Sequence, residues 1–287
     1  MNIIGNPNVG KSTLMNALVG ERLSIITSKA QTTRHRILGI VSGEDFQLVI
    51  SDTPGVIKPV YGLQESMMDF VRTALDDADV VLYMVEIGEK ELKDSSLGQK
   101  LRETQIPVLL LINKIDTSDQ ATLEAQVAYW AEAFPNAEIH PISALERFGI
   151  QPVLDRILEL LPEAPPYFPK DQLTDKPERF FVGEIIREKI LQHYKQEIPY
   201  AVEVETERFE ESEELIRIGA VIMVERDSQK GIIIGHKGSA LKRVGTEARK
   251  DLEAFFDKKV FLELFVKVNK DWRSNARQLR RFGYTSK

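Results

Sequence analysis

The first half of the chain alternates short apolar runs with amphipathic stretches, and two of those runs are apolar at every position. Val80-Val81-Leu82-Tyr83-Met84-Val85 and Val108-Leu109-Leu110-Leu111-Ile112 have no polar face to give to water. Strands of that kind lie in the middle of a parallel sheet covered by helices on both sides. The same pattern predicts strands over Arg36–Val41, Phe46–Ser51, Val80–Glu86, Pro107–Asn113 and Glu138–Ile142. Apolar positions at helical spacing predict helices over Lys11–Val19, Gln64–Leu75, Thr122–Phe134 and Ile150–Leu161. Strand and helix in alternation imply a doubly wound α/β sheet.

The texture then changes. Pro162, Pro165, Pro166, Pro169 and Pro177 crowd one short stretch, and each fixes φ and removes a donor. No helix or central strand survives that, so residues 164–177 read as a semi-rigid, partly extended linker. It separates a first domain over residues 1–163 from a second over 178–287. The second half predicts a helix near Gly183–Tyr194, strands over Ala201–Phe209 and Leu215–Glu225, two helices, a strand over Val260–Val268 and a last helix. Glu203, Glu205 and Glu207 alternate along the first of these strands, which places them on one face, expected to stand in water.

Composition narrows the picture. At 287 residues, 43% hydrophobic and 29% charged, the chain can bury two cores and is not of a disordered class. No apolar run approaches the ~20 residues that span a bilayer, and the N-terminal residues carry no signal-peptide pattern. With no cysteine there are no disulfides or thiolate metal sites, which fits a reducing cytosol. The net charge of −6 hides an asymmetry. Residues 230–287 hold 15 Lys and Arg against 6 Asp and Glu, so the end of an acidic chain is strongly basic. A polyanion is the partner such a segment suits, although a solvated surface would carry the same charge.

Four short motifs bear on chemistry. Gly5-Asn6-Pro7-Asn8-Val9-Gly10-Lys11-Ser12, followed by Thr13, is a phosphate-binding loop in which backbone N–H groups and a helix N-terminus face phosphates. Lys11 would reach the β- and γ-phosphates, and the Ser12 hydroxyl would bind Mg²⁺. Asp52-Thr53-Pro54-Gly55 closes an apolar strand; Asp52 can hold Mg²⁺ through water, and the Gly55 amide can approach the γ-phosphate. In Asn113-Lys114-Ile115-Asp116 the Asp116 carboxylate can accept two N–H bonds that guanine offers and adenine does not. Asn113 can pin the loop and bond the base edge, while the Lys114 stem covers the ring. Ser143-Ala144 would bring backbone amides to the guanine O6. All four motifs fall at strand ends on the carboxyl edge of one sheet, where such folds bind ligands. The set resembles the translation-factor branch of P-loop GTPases.

Ser28-Lys29-Ala30-Gln31-Thr32-Thr33-Arg34 is placed as a switch loop that the γ-phosphate would order. Thr33 is expected to complete the Mg²⁺ shell, with Thr32 as the alternative. Lys11, Thr33 and Gly55 are the groups expected to act on the γ-phosphate. Many small GTPases place a water-orienting Gln after the Asp-x-x-Gly turn; here the position is Val56, which implies slow intrinsic turnover. Asn8 stands where some related GTPases hold K⁺ beside the phosphates. His35 and His140 are expected to serve surface or packing roles.

In the basic segment, Gly231-Ile232-Ile233-Ile234 leads into Gly235-His236-Lys237-Gly238. A GxxG loop between two helices is the device with which KH domains clamp about four nucleotides. Lys242 and Arg243 follow on the next helix, and Arg277, Arg280 and Arg281 on the last; all five can meet RNA phosphates. Trp272 and Leu279 are expected to be core anchors. The fold expected is therefore a Ras-like P-loop GTPase sheet followed by a smaller α+β domain of KH type II.

That combination, with the switch string Gln31-Thr32-Thr33-Arg34, resembles the Era family of bacterial GTPases over nearly the whole chain. The resemblance implies GTP/GDP and Mg²⁺ as ligands, and binding of small-subunit ribosomal RNA near its 3′ end, favoured by GTP. It also implies a late role in assembly of the small ribosomal subunit. Further, it implies a cytoplasmic, monomeric protein with loose peripheral contact to the inner face of the cell membrane, for which the sequence offers no anchor. Two other readings stay open: an RNA-modifying enzyme driven by GTP, and a membrane or cell-cycle regulator for which RNA is incidental.

Overall fold

Runs that are apolar at every position become the middle of a sheet. A computed structural model describes residues 1–284 and divides them into two compact units, Met1–Asp175 with Tyr284, and Lys176–Gly283. The first unit runs β1 (Asn2–Ile4), α1 (Lys11–Val19), β2 (Ile37–Ser42), β3 (Gln47–Asp52), α2 (Gly62–Asp76), β4 (Val81–Glu86), α3 (Ser95–Glu103), β5 (Val108–Asn113), α4 (Gln120–Ala133), β6 (Ala137–Pro141) and α5 (Ile150–Leu160). The sheet order is β2-β3-β1-β4-β5-β6, with β2 antiparallel to β3 and every other pair parallel. Leu109, Leu110, Leu111 and Ile112 are fully buried, as strands covered on both faces require. Strand β1 has only three residues yet sits between β3 and β4, so its carboxyl end opens at the centre of the sheet edge.

The proline-rich stretch is extended but not free. Ile40 N–H donates to the Leu173 carbonyl at 2.8 Å, Leu38 N–H donates to Asp175 Oδ1 at 3.0 Å, and Gly39 forms an antiparallel bridge with Thr174. Gln47 exchanges two hydrogen bonds with the Phe168 backbone, at 2.8 and 2.9 Å. Residues 168–175 thus cover β2, the open edge of the sheet, and the first unit reaches Asp175 where the sequence places a linker over 164–177.

The second unit runs α6 (Glu178–His193), β7 (Glu203–Glu211), β8 (Leu215–Val224), α7 (Asp227–Ile234), α8 (Ser239–Phe256), β9 (Lys259–Val268) and α9 (Ala276–Arg281). Helix α6 starts directly after Pro177, earlier than expected, with Gly183 inside it. Strands β7 and β8 are antiparallel, β8 and β9 parallel, and α6 and α8 pack on the sheet through Val182, Ile186, Ile218, Ile222, Ala248 and Leu252. The glutamates of β7 do not all stand in water. Glu203 is buried, Glu205 accepts from Arg281 and Glu207 from Lys267, and a register shift between Thr206 and Arg208 breaks the alternation.

Candidate nucleotide site and nucleic-acid interface

The phosphate-binding loop is built by β1 ending at Ile4 and α1 starting at Lys11. Gly10 carries φ of 105°, and a Cβ there would lie 2.3 Å from Asn113 Nδ2, so no other residue fits. Asn113 explains the closeness. Its Nδ2 donates to the Val9 carbonyl at 2.7 Å and its Oδ1 accepts from Ala144 N–H at 2.9 Å. One side chain thereby ties three of the four motifs together. Lys11 Nζ donates to the carbonyls of Gly5 (3.1 Å) and Asn6 (2.9 Å). Burial lowers its pKa to about 8, against the pull of Asp52 and Glu89, a cost that anionic phosphates would reverse.

Three predicted metal residues come together. Ser12 Oγ donates to Asp52 Oδ2 at 2.7 Å and lies 2.9 Å from Thr33 Oγ1, which is itself 3.4 Å from Asp52 Oδ2. Thr32 faces elsewhere, donating to the Lys29 carbonyl at 2.6 Å. The second carboxylate oxygen of Asp52 is buried with no hydrogen-bond partner, and burial pushes its carboxyl above the ordinary range. A buried carboxylate with one oxygen bonded to two hydroxyls and the other without a hydrogen-bond partner is a hard, oxygen-only donor set, and it fits Mg²⁺.

A cleft of about 260 Å³ runs from these residues to the base-side loops. Pro7, Asn8, Gly10, Lys11, Ser12, Thr13, Thr33 and Gly55 line one end, and Asn113, Lys114, Asp116 and Ala144 the other. Gly5, Asn6 and Val9 lie behind the loop instead: Val9 is 1% exposed, and the Asn6 side chain turns away toward residues 89–93. One expectation on the base side needs correction. Ser143 N–H already donates to the Phe148 carbonyl at 3.1 Å, and Ala144 N–H is held by Asn113, so neither amide is set for a base oxygen. The Lys114 ammonium is drawn to the Glu86 carboxylate, which fixes where its stem runs. The sequence reading missed Ile25, Ile26, Thr27, Thr117 and Leu145, which also line the cleft, and named Gln31 only as part of the switch string. Leu145 is 73% exposed, and the only signal for it was its place after Ser143-Ala144.

Val56 is fully buried in the hydrophobic core with Met68 and Val71 and cannot meet an attacking water. His35 is buried, its ring 6.1 Å from that of Phe70. Burial lowers the His140 pKa, and its imidazole lies 3.8 Å from Glu138. Both histidines have packing surroundings.

In the second unit, α7 and α8 are joined by the GxxG loop. Gly235 has φ of 71°, and a Cβ there would come 2.6 Å from Ala240 Cβ. Lys237 itself takes a left-handed φ of 49°, and it and His236 are exposed at the tip. Lys242 and Arg243 are exposed on the first turns of α8. The end of the unit is a short 3-10 turn, Trp272–Ser274, followed by α9, and its residues divide between core and surface. Trp272 and Leu279 are buried, with Trp272 Nε1 donating to the Ala201 carbonyl at 3.1 Å. Arg277 and Arg280 are exposed, whereas Arg281 donates to Glu205 at 2.6 Å and arrives with its charge already paired.

A protein-family model described as a 50S ribosome-binding GTPase matches residues 1–114, and a KH-domain model matches residues 197–273. The chain is similar to the GTPase Era of Alkaliphilus metalliredigens, at 46% identity over 98% of this chain and 97% of that one. Its identity to the GTPase Era of Staphylococcus haemolyticus is 43%, over 99% and 96%. The chain belongs to the Era family of GTPases. Two solved Era structures superpose on it at a TM-score of 0.94 and 37% identity, each covering 99% of this chain and 98% of the other. One is an Aquifex aeolicus Era variant bound to GDP and aluminium tetrafluoride. The other is Era in complex with MgGDPNP and nucleotides 1506–1542 of 16S ribosomal RNA. As a member of the Era family, the chain is a GTPase with a Ras-like domain followed by a KH domain.

Proposed function

We propose that the chain is a GTP-dependent switch that binds small-subunit ribosomal RNA near its 3′ end and assists late assembly of the small ribosomal subunit. One observation carries the reading: an Era structure similar to 99% of this chain was solved with MgGDPNP and a 3′ segment of 16S RNA. The matching GTPase model names the 50S particle, but it spans only the first 114 residues, so the full-length likeness is the better guide to the RNA. Crosslinking from cells, with the bound RNA sequenced, tests this; reads spread over unrelated transcripts, or absent from the small-subunit RNA, overturn it. Side-by-side pull-downs with RNA and with liposomes test the cytoplasmic placement and the peripheral membrane contact. No helix among the described residues is long and apolar enough to cross a membrane.

In this reading the Gly5–Ser12 loop and Lys11 bind the phosphates, Ser12 and Thr33 hold Mg²⁺ directly, and Asp52 holds it through water. When bound, the ion would neutralise charge on the β- and γ-phosphate oxygens. Asp116 would select guanine, and Gly55 would face the γ-phosphate. With Val56 buried, catalysis in this reading rests on position and charge rather than on a side-chain base. Lys11→Ala and Ser12→Ala should each lower kcat/KM on the order of a hundredfold or more in steady-state hydrolysis. Val56→Ala should keep most of kcat. It opens a void in a packed core, so it should instead cost about 1–3 kcal/mol in denaturant unfolding. Turnover is proposed to be slow for want of a water-orienting side chain at Val56.

Asn8 bears on a second ion. It has φ of 67° and its Nδ2 donates to the Ser28 carbonyl at 3.0 Å, joining the phosphate loop to the start of the switch string. Potassium bound beside Asn8 would add positive charge next to the phosphates. Hydrolysis should then run several-fold faster in KCl than in NaCl at equal ionic strength; equal rates remove the ion from the mechanism.

A further inference from the structure

The Asn6 side chain belongs to the phosphate loop by sequence yet makes its hydrogen bonds away from the cleft. Its Nδ2 donates to the Glu91 carbonyl at 2.9 Å and to the Glu89 carboxylate, and its Oδ1 accepts from Lys93 N–H at 3.0 Å. The other Glu89 oxygen accepts from Glu86 N–H at 3.1 Å. The loop bearing Glu89 is clamped from behind by α4. Gln126 donates to the Glu89 carbonyl at 2.5 Å and accepts from Gly88 N–H at 3.3 Å, while the Tyr129 hydroxyl donates to the Lys90 carbonyl at 2.8 Å. The Asn6 carbonyl, in turn, is one of the two that hold the Lys11 ammonium. Glu89 also sits near enough that its charge favours the ammonium form of Lys11.

We propose that Glu89 is a positioning residue for nucleotide binding. Its carboxylate fixes the Asn6 side chain, and through the Asn6 carbonyl it sets the Lys11 ammonium toward the phosphates. The role needs a carboxylate and not merely a polar group. Both oxygens of Glu89 are acceptors here, and a glutamine has only one, so its NH₂ would face either Asn6 Nδ2 or Glu86 N–H. A donor set against a donor loses one bond and leaves a partner unsatisfied. The inference rests on the cleft being the nucleotide site.

The test measures GDP and GTP affinity of the full chain with a fluorescent guanine nucleotide, for wild type, Glu89→Gln, Asn6→Ala, the double variant and Lys11→Ala. Glu89→Gln should weaken both nucleotides by about ten- to thirtyfold, while kcat at saturation moves less than about threefold. The double variant should be no weaker than the worse single one, because both changes break the same link. The lost bond should also lower the thermal midpoint of the nucleotide-free protein modestly, so the positioning role is read from nucleotide affinities measured well below that midpoint and from the split between affinity and kcat. Affinity within twofold of wild type, or losses that multiply in the double variant, overturns the proposal. Lys11→Ala separates the two levels: unchanged affinity there removes the nucleotide reading itself, whereas a large loss beside a silent Glu89→Gln removes only the role of Glu89.

Discussion

Replacing Asp116 by Asn should exchange guanine for xanthine at the base end of the cleft. Asp116 lies on the turn after β5, exposed at the cleft wall two residues beyond Lys114. A carboxylate there accepts from the N1 and 2-amino groups of guanine; an asparagine turns one acceptor into a donor and faces the 2-amino group with N–H. Xanthine carries an oxygen at that position and accepts what guanine rejects. Sites built around such paired bonds discriminate strongly because the mismatch leaves buried groups unpaired. GTP affinity of Asp116→Asn should fall by roughly 10²–10⁴-fold, with xanthosine triphosphate gaining as GTP loses. Competition binding with both nucleotides measures it. A variant that keeps wild-type GTP affinity, or a native protein that binds ATP as tightly as GTP, removes the guanine assignment.

The nucleotide cleft could be read from sequence because its groups must stand at strand ends in a fixed order. Gly10, Lys11, Ser12, Asp52, Asn113 and Asp116 are each pinned to a strand-to-loop junction by the alternation of β and α. Of the two threonines weighed, Thr33 is the one that turns to Ser12 and Asp52. What escaped the sequence depends on long-range partners. Nothing near Glu89 distinguishes it from Glu86 or Glu91; its role comes from Asn6, 83 positions away. Glu203 was expected in water because alternation says which side of a strand a residue faces, not what covers that side. Helix α3 went unseen because Leu97 and Leu101 are its only large apolar positions and Gly98 interrupts it. Its start, capped by Asp94 accepting from Ser96 and Leu97 N–H, was the one local signal available. Proline content likewise told that 164–177 is extended, but not that Leu173 and Asp175 would bond the edge of β2.

Changing both His236 and Lys237 to Asp should abolish RNA binding while leaving hydrolysis in the absence of RNA near wild type. The two residues are exposed at the tip of the GxxG loop, in the unit that does not hold the nucleotide cleft. Their backbone conformation is set by Gly235 and Gly238, which the variant keeps. The left-handed φ of Lys237 is one that Asp tolerates better than most residues, so the loop should keep its shape. What changes is charge: one cation is lost and two anions appear where a sugar-phosphate backbone would pass. Wild-type affinity for a short single strand should itself fall with salt. Three or four neutralised phosphates give a log–log slope of roughly −2 to −3, with Lys237, Lys242, Arg277 and Arg280 among the exposed cations and Arg243 lying 3.8 Å from Glu247. Arg281, already paired with Glu205, should add little to that slope when replaced by Ala. The double-Asp variant should bind at least about a hundredfold more weakly at low salt. If the GTP form binds RNA more tightly than the GDP form, RNA must tighten GTP over GDP by the same factor, and the variant should lose that gain together with its RNA. Fluorescence anisotropy with a labelled single strand, run beside a phosphate-release assay, gives both readouts on one preparation. Normal RNA binding by the double-Asp protein would take the GxxG loop out of RNA recognition, and with it the route by which this GTPase is proposed to act on the ribosomal subunit.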